Sequence, residues 1–414
     1  MRCSSSGKIL RLTALSARYS ASCGVSVEVT PISISKPVEI EPTVAPFTST
    51  YASLTRCKTS LMEWLPAGGR LFAAANLSIT LDGVTIETYA YARAGLLGNP
   101  SDGYYGKTIS FLVRNFRARV LLCPSARLEI RASKADMPVF ESLDDLYTTT
   151  RWRGYYGGIR IIQALIVRFM DYCRAAGIQL ENRNFTIEYE STIPLRLGMG
   201  GSSSIITAAL RALCQYFQVE IPLPVQANLV LETETRELGV PAGLQDRVIQ
   251  VYEGLVYMDF AKELMDRQGH GNYERLDPNL LPSVYMAYRT SLSEGTEVFH
   301  NNVRERWRQA DPEVMEAMKT WAGFAEQGRA ALLGRDHATL NRLIDANFDL
   351  RGKLYKISRG NLEMIEAARS AGVTANFAGS GGAITGCYPH ESTYHALVEK
   401  MRPLGVAVVK PIVT

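Results

Sequence analysis

Residues 194–204 read PLRLGMGGSSS, between the strand-like FTIEYEST at 185–192 and the helix-forming SIITAALRALCQYF at 204–217. A glycine-rich turn feeding a helix leaves several backbone N–H groups without intrahelical partners. It also points the positive end of the helix dipole into the same small volume. That volume suits a phosphate. Glycine lets the backbone approach an anion closely and take angles closed to other residues. Serine can cap the helix, or offer its hydroxyl to phosphate or to a metal ion. The stretch has neither the Gly-Lys-Ser/Thr of a P-loop nor the dinucleotide fingerprint. Alone it reads equally well as a capped turn between strand and helix, so the rest of the chain must choose.

The 414 residues are 46% hydrophobic and 21% charged, ordinary for a globular protein with sizeable cores. A net charge of +4 is too small to imply nucleic acid. Seven cysteines, at 3, 23, 57, 123, 173, 214 and 387, include no Cys-x-x-Cys pair, and no cysteine–histidine cluster has zinc spacing. Such a dispersed, odd set fits reduced thiols and a cytoplasmic protein. No run approaches the ~20 apolar residues of a membrane helix. Residues 1–88 read as an extension without chemistry of its own. Its first 24 residues are basic, serine-rich and acid-free, which fits either an organelle transit peptide or a loose extension. Residues 30–50 are rich in proline and threonine, like a linker.

From Tyr89 the pattern is regular. YAYARAGLLGNP is a strand running into a glycine turn, and TISFLVRNFRARVLLC and ARLEIRAS follow as antiparallel strand material. Helices fit 156–176, 203–218 and 224–238, the last stopped by Leu238-Gly239-Val240-Pro241. Strands recur at GLVYMDF and SVYMAYRTS, and most of the remainder is helical. In 313–333, Val314, Met318, Trp321, Ala325 and Leu332 mark one core stripe. Helices near 361–371 and 392–403 flank a second glycine-rich segment, and VAVVKPIV is a last strand. Two successive blocks of strands and helices predict an α+β protein of two lobes.

Three further elements keep company with the opening loop. Glu234 and Asp246 lie twelve residues apart across a Pro-Ala-Gly bend, so two carboxylates can return to one place. Phosphoryl transfer needs a hard oxygen ligand for magnesium and gains from an acid beside the attacking hydroxyl. In ARAGLLGNPSDGYYGKT, Arg93 ends a strand, and Asn99, Ser101, Asp102 and Tyr105 occupy the loop beyond. These short polar residues suit sugar hydroxyls, and equally suit plain turn chemistry. Finally, FAGSGGAITG at 377–386 is either a second ligand loop or a hairpin turn.

The order and spacing of these elements resemble the kinase superfamily of galactokinase, homoserine kinase, mevalonate kinase and phosphomevalonate kinase, the GHMP kinases. Arg93 stands five residues before Gly98, as in the first family motif; Pro194 to Ser204 matches the second, and Ala378 to Ala383 the third. The resemblance implies a lobe like ribosomal protein S5 domain 2 over 89–275, and a ferredoxin-like lobe with added helices over 276–414. It implies ATP on Pro194, Leu195, Arg196, Leu197, Gly198, Met199, Gly200, Gly201, Ser202, Ser203 and Ser204. Magnesium would sit on Ser203 and Glu234, with Asp246 and Arg93 as the catalytic pair. The sugar would meet Asn99, Ser101, Asp102, Tyr105, Gly379, Ser380, Gly381 and Gly382. The loop has one residue more than the commonest family form, and Ser204 where alanine is usual.

Residues 92–414 further resemble the plant-type glucuronokinases, through GLLGNPSDGYYGKTIS, GYYGGIRII, AGLQDRVIQVYEGLVYMDF, NFDLR and FAGSGGA. That likeness implies phosphorylation of the anomeric hydroxyl of D-glucuronate by ATP and Mg2+, feeding UDP-glucuronate synthesis. The sugar carboxylate then needs a cation, with Arg160, Arg196 and Arg351 as candidates. Tyr104, Tyr105, Tyr155 and Tyr156 serve either the sugar face or the lobe interior. The rival expectations are another sugar of the galactose, arabinose or heptose type, or a non-catalytic sensor on the same fold.

Overall fold

Strand β1 (Ile86–Leu97) alternates buried and exposed residues as far as Tyr91, then runs apolar and buried to its end. It therefore passes from the rim of the molecule into its centre, and carries Arg93 inward. The computed structural model describes residues 84–132, 157–290 and 303–414. The basic, serine-rich leader, the linker at 30–50, and Tyr155 and Tyr156 lie outside the described residues.

The 18-residue strand β2 (Lys107–Pro124) is the spine of the first sheet. It pairs antiparallel with β1 along most of its length, with β4 (Phe185–Ser191) at one end and with β5 (Leu255–Asp259) at the other. β6 (Asn272–Leu276) extends the sheet beyond β5. β3 (Glu129–Arg131) lies at the far edge, parallel to β4, where the sequence predicted only antiparallel material. A three-residue edge strand has no pattern that encodes direction; the route of the chain decides it.

Helices α1 (Gly158–Ala175) and α2 (Gly201–Phe217) share one core cluster with this sheet. α1 buries one face, through Ile161, Ile162, Leu165 and Phe169. α2 is buried nearly all round from Ser203 to Tyr216, which explains its run of small and apolar residues. Each fully buried Leu or Ile there stabilises the fold by about 1.5–3 kcal/mol. α3 (Leu223–Glu232) continues into a wider π turn, Thr233–Glu237, where the sequence predicted one helix to 238. α4 (Gln245–Tyr252) and the short α5 (Lys262–Gln268) complete this part.

The second sheet has the order β10 (Ala407–Val409), β7 (Val284–Tyr288), β9 (Ala383–Cys387), β8 (Asn376–Phe377), all antiparallel. With α8 (Arg359–Ser370) between β7 and β8, and α9 (Glu391–Met401) between β9 and β10, the chain traces a β-α-β-β-α-β ferredoxin-like unit. α6 (Pro312–Leu333) and α7 (His337–Leu354) are the added helices. The expected α6 stripe is inside: Val314, Met318, Trp321, Ala325 and Leu332 are all buried. One core cluster joins Leu96, Leu97 and Ile109 of the first sheet to Met286 and Ala383 of the second and to Leu332 and Leu343. Packing this continuous holds the ends of both sheets in register. Among the described residues, no helix is long and apolar enough to cross a membrane.

Candidate active site

Arg93 lies between two irregularities in the β1–β2 ladder, at Tyr91/Ala92 and Gly95/Leu97. Bulges bend a strand and re-aim its side chains. The Arg93 side chain is buried, and its Nε donates to Asp246 Oδ1 at 2.8 Å, with Nη2 2.7 Å from the same oxygen. Nη1 donates at 2.5 Å to the carbonyls of both Gly198 and Ala378. The backbone follows the same course: Arg93 N–H donates to Met199 O at 3.1 Å, and Gly95 N–H to Ala378 O at 2.8 Å. One cation therefore ties together β1, the glycine-serine loop, the start of α4 and the C-terminal glycine segment. Asp246 stays partly open, with 16% of its side chain exposed.

In the loop, Arg196, Gly198 and Gly200 have φ of 61°, 59° and 75°. Gly200 is the left-handed residue before α2, which begins at Gly201 rather than at 203. All three serines therefore fall in the first turn of the helix. Ser203 Oγ donates back to Gly200 O at 3.1 Å, and Ser204 Oγ to Gly200 O at 2.8 Å and Tyr91 O at 2.9 Å. The hydroxyl that meets Glu234 is that of Ser202, 2.6 Å from Oε1, and not that of Ser203. Neighbouring residues on a 3.6-residue helix point in different directions, so moving the helix start changes which serine faces the acid.

Glu234 is buried in the π turn, and its Oε2 contacts Arg247 Nη2. Such turns are frequent at functional sites. Burial, with Arg93 as a neighbouring like charge, pushes the Arg247 guanidinium down to about 9. Arg247 also contacts the Gly243 carbonyl and lies 3.8 Å from Asp246 Oδ2. Gln250, one turn after Asp246, donates to Gly200 O at 2.8 Å and to Ser204 Oγ at 2.7 Å. Arg247 and Gln250 were not among the expected site residues. The i, i+4 spacing of Asp246 and Gln250 was the signal that could have found Gln250.

The polar loop after β1 divides. Asp102 was expected to meet sugar hydroxyls, yet it is buried against the start of α4. Its Oδ2 accepts from Leu244 N–H at 2.9 Å and from Gln245 N–H at 3.1 Å, while Gln245 Nε2 reaches Oδ1 at 3.3 Å. Burial pushes its carboxyl up, and these backbone donors oppose that shift. Asp102 thus holds the turn that presents Asp246. Ser101, also expected on the sugar, exchanges hydrogen bonds with Lys107: its Oγ donates to the Lys107 carbonyl at 3.0 Å and accepts from the Lys107 N–H at 3.2 Å. Tyr105 turns outward, its ring 5.9 Å from Lys262 Nζ. Asn99 alone reaches the second glycine segment, with Nδ2 3.1 Å from Gly379 O.

That segment is a hairpin turn and a docking surface at once. β8 and β9 flank residues 378–382. A Cβ on Gly379 would lie 2.0 Å from Gly198 O, and one on Gly198 would lie 2.6 Å from Ser380 N. The two glycine loops touch through backbone. Gly381 and Gly382 have φ of 140° and 73°, and Gly382 N–H donates to Asn361 Oδ1 at 2.9 Å. Of the three arginines expected near a sugar carboxylate, Arg160 is exposed on α1 and Arg196 is half-buried in the first loop. Arg351, on α7, is buried behind the second loop.

A carboxylate held open beside a glycine-led helix start, next to a ferredoxin-like unit, is an arrangement consistent with a small-molecule kinase of the GHMP type. The family described as GHMP kinases N terminal domain matches residues 164–254. Galactokinase of Lactococcus lactis, solved with galactose, superposes with a TM-score of 0.64 at 14% identity, over 80% of this chain and 94% of that one. Glucuronokinase 1 of Arabidopsis thaliana is 42% identical over 334 residues, 78% of this chain and 92% of the relative. Probable glucuronokinase 2 of the same plant is 42% identical over 338 residues, 80% of this chain and 92% of the relative. The chain belongs to the glucuronokinase family.

Proposed function

We propose that this protein transfers the γ-phosphoryl group of ATP to the anomeric hydroxyl of D-glucuronate, giving glucuronate 1-phosphate and ADP. The observation that carries this reading is the Arg93–Asp246 pair at the junction of the two glycine loops. The 42% identity to proteins named glucuronokinase supports the choice of sugar.

In this reading the backbone N–H groups of residues 198–202 and the start of α2 cradle the phosphates. Arg93 occupies Asp246 Oδ1, so Oδ2 is the oxygen that takes the proton of the C1 hydroxyl. As that proton leaves, the sugar oxygen bonds to the γ-phosphorus, and the bond from phosphorus to the β,γ-bridging oxygen breaks. ADP departs with the bond electrons. Asp102 and Gln245 fix the helix turn that aims Asp246.

Ser202 Oγ and Glu234 Oε1 form a hard oxygen pair of the kind Mg2+ prefers, with room in its shell for phosphate oxygens and water. Arg247 holds the other carboxylate oxygen, fixing the pair's orientation. When bound, the ion neutralises charge on the phosphates. We further place the enzyme in the cytoplasm, acting on sugar and nucleotide rather than nucleic acid. The thiols of Cys173, Cys214 and Cys387, which form no disulfide among the described residues, support that.

An ADP-release assay over a panel of glucuronate, galactose, arabinose and a heptose phosphate tests the reading. Turnover is expected for glucuronate far above the others. Galactose turnover comparable to that of glucuronate overturns it.

A further inference from the structure

Three buried arginines surround the site, and they differ in one respect. Arg93 pairs with Asp246 and Arg247 with Glu234. Arg351 is just as buried, at 3% exposure, yet among the described residues its guanidinium bonds only to neutral oxygens: Nη1 to Gly379 O at 2.8 Å and Nη2 to Asn99 Oδ1 at 3.1 Å. Its buried Nε has no hydrogen-bond partner among the described residues. A guanidinium offers five N–H donors in a planar fork matched to a carboxylate. Burying it beside neutral acceptors alone is costly, and that cost falls when a ligand brings the counter-charge. Its desolvation already pushes it down from the usual arginine range. The fork is held in place by aromatic faces, with Cζ 5.3 Å from the Phe377 ring and 5.7 Å from that of Tyr355.

Arg351 lines a cavity with Tyr355, Ile357, Ser358, Asn361, Phe377 and Ser380. The cavity is small, with about 10 Å³ open to water, so it has room for one small polar group of a ligand and not for a whole sugar ring. The location matches too. Arg93 grips the Ala378 carbonyl and Arg351 the next one, Gly379. Consecutive residues are about 3.8 Å apart, so the two cations flank a single step of backbone. In a hexuronate, C1 with its hydroxyl and C5 with its carboxyl group lie on either side of the ring oxygen. C1 and the carboxyl group of such a sugar are thus near neighbours, as are the two carbonyls that the arginines hold.

We propose that Arg351, presented by Asn99 and the Gly379 carbonyl, binds the C6 carboxylate of the sugar and sets the preference for a uronate over neutral hexoses. This rests on the glucuronate kinase reading above. The test compares glucuronate with glucuronamide, its uncharged isostere, in the full-length wild type, in Arg351→Gln and in Asn99→Asp. The second variant pairs the guanidinium from within and opens no cavity. In the wild type the acid is the better substrate. Arg351→Gln lowers kcat/KM for glucuronate on the order of 10²-fold, leaves glucuronamide nearly unchanged, and keeps the KM for ATP. In both variants the acid-to-amide ratio collapses toward one. A wild-type ratio retained in both, with glucuronate still turned over, overturns this assignment alone. A wild type that phosphorylates neutral sugars but not glucuronate overturns the functional reading, and the assignment with it.

Discussion

The two glycine-rich loops look alike in sequence and use their glycines differently. In 194–204, Gly198 and Gly200 take left-handed angles that turn the chain into α2. In 378–382, Gly382 has such an angle too, but Gly379 does not; it is glycine because Gly198 O occupies the space a Cβ would need. In the proposed function the first loop shapes a ligand site, and the second brings the ferredoxin-like half up to it. Arg93 ties this junction together, since it bonds to a carbonyl of each loop and to Asp246. The lesson is that a glycine can encode a conformation or a distance, and composition does not tell which.

The sharpest way to break this comparison is at the point both loops share. Asp246→Asn keeps the size of the side chain and removes the proton acceptor, so kcat is expected to fall by about 10²–10⁴-fold. ATP binding, followed by nucleotide titration, should change little. Turnover close to wild type would exclude Asp246 as the base.

Gly379→Ala addresses the wedge. Its methyl group meets Gly198 O, so the loops must separate, and a misplacement of about 1 Å at a catalytic site costs on the order of 10²-fold in turnover. Steady-state kinetics beside a thermal melt reads this. Loss of stability without loss of kcat would mean that the contact is structural only.

The ligand loop is probed by its serines. Ser202→Ala removes the hydroxyl on Glu234 and is expected to raise the Mg2+ needed for half-maximal activity about tenfold, the equivalent of one charge-assisted hydrogen bond. Ser203→Ala removes only a bond to Gly200 O and should leave the Mg2+ titration in place. A reversed pattern would restore Ser203 as the metal serine.

The smallest effect is expected at Gly201. A Cβ there meets only Ile193 Cγ2 at an ordinary 3.7 Å, and the residue is already helical. Gly201→Ala should be neutral or stabilise by up to about 1 kcal/mol, read by urea unfolding. Marked destabilisation would show that the first turn needs glycine for a reason beyond space.

Much of this architecture was legible in the chain. Arg93 before its glycine turn, the loop at 194–204, the acids Glu234 and Asp246, and the helix stripe from Val314 to Leu332 all carry local signals of period or spacing. What was not legible depends on partners distant in sequence. Asp102 read as a sugar ligand because a short polar residue in a loop looks the same whether it faces solvent or caps a helix 142 residues away. α7 has no strong stripe, so nothing local set Arg351 apart from Arg160 and Arg196 as the candidate for the sugar carboxylate. Arg247 looked like any arginine in a surface helix until Glu234 was seen against it.

The sequence by itself determined the kind of protein: two α+β blocks, a glycine-serine loop at a helix start, an arginine on a strand and two acids beyond a bend. These follow from backbone propensity and side-chain period, which act over a few residues. Only the tertiary structure decided which groups meet: Ser202 rather than Ser203 on Glu234, Asp102 on the helix of Asp246, and Arg351 buried with no ion-paired carboxylate among the described residues. Those outcomes turn on a helix starting two residues early and on contacts closed across the chain, where packing and charge burial are strongest and local sequence is silent.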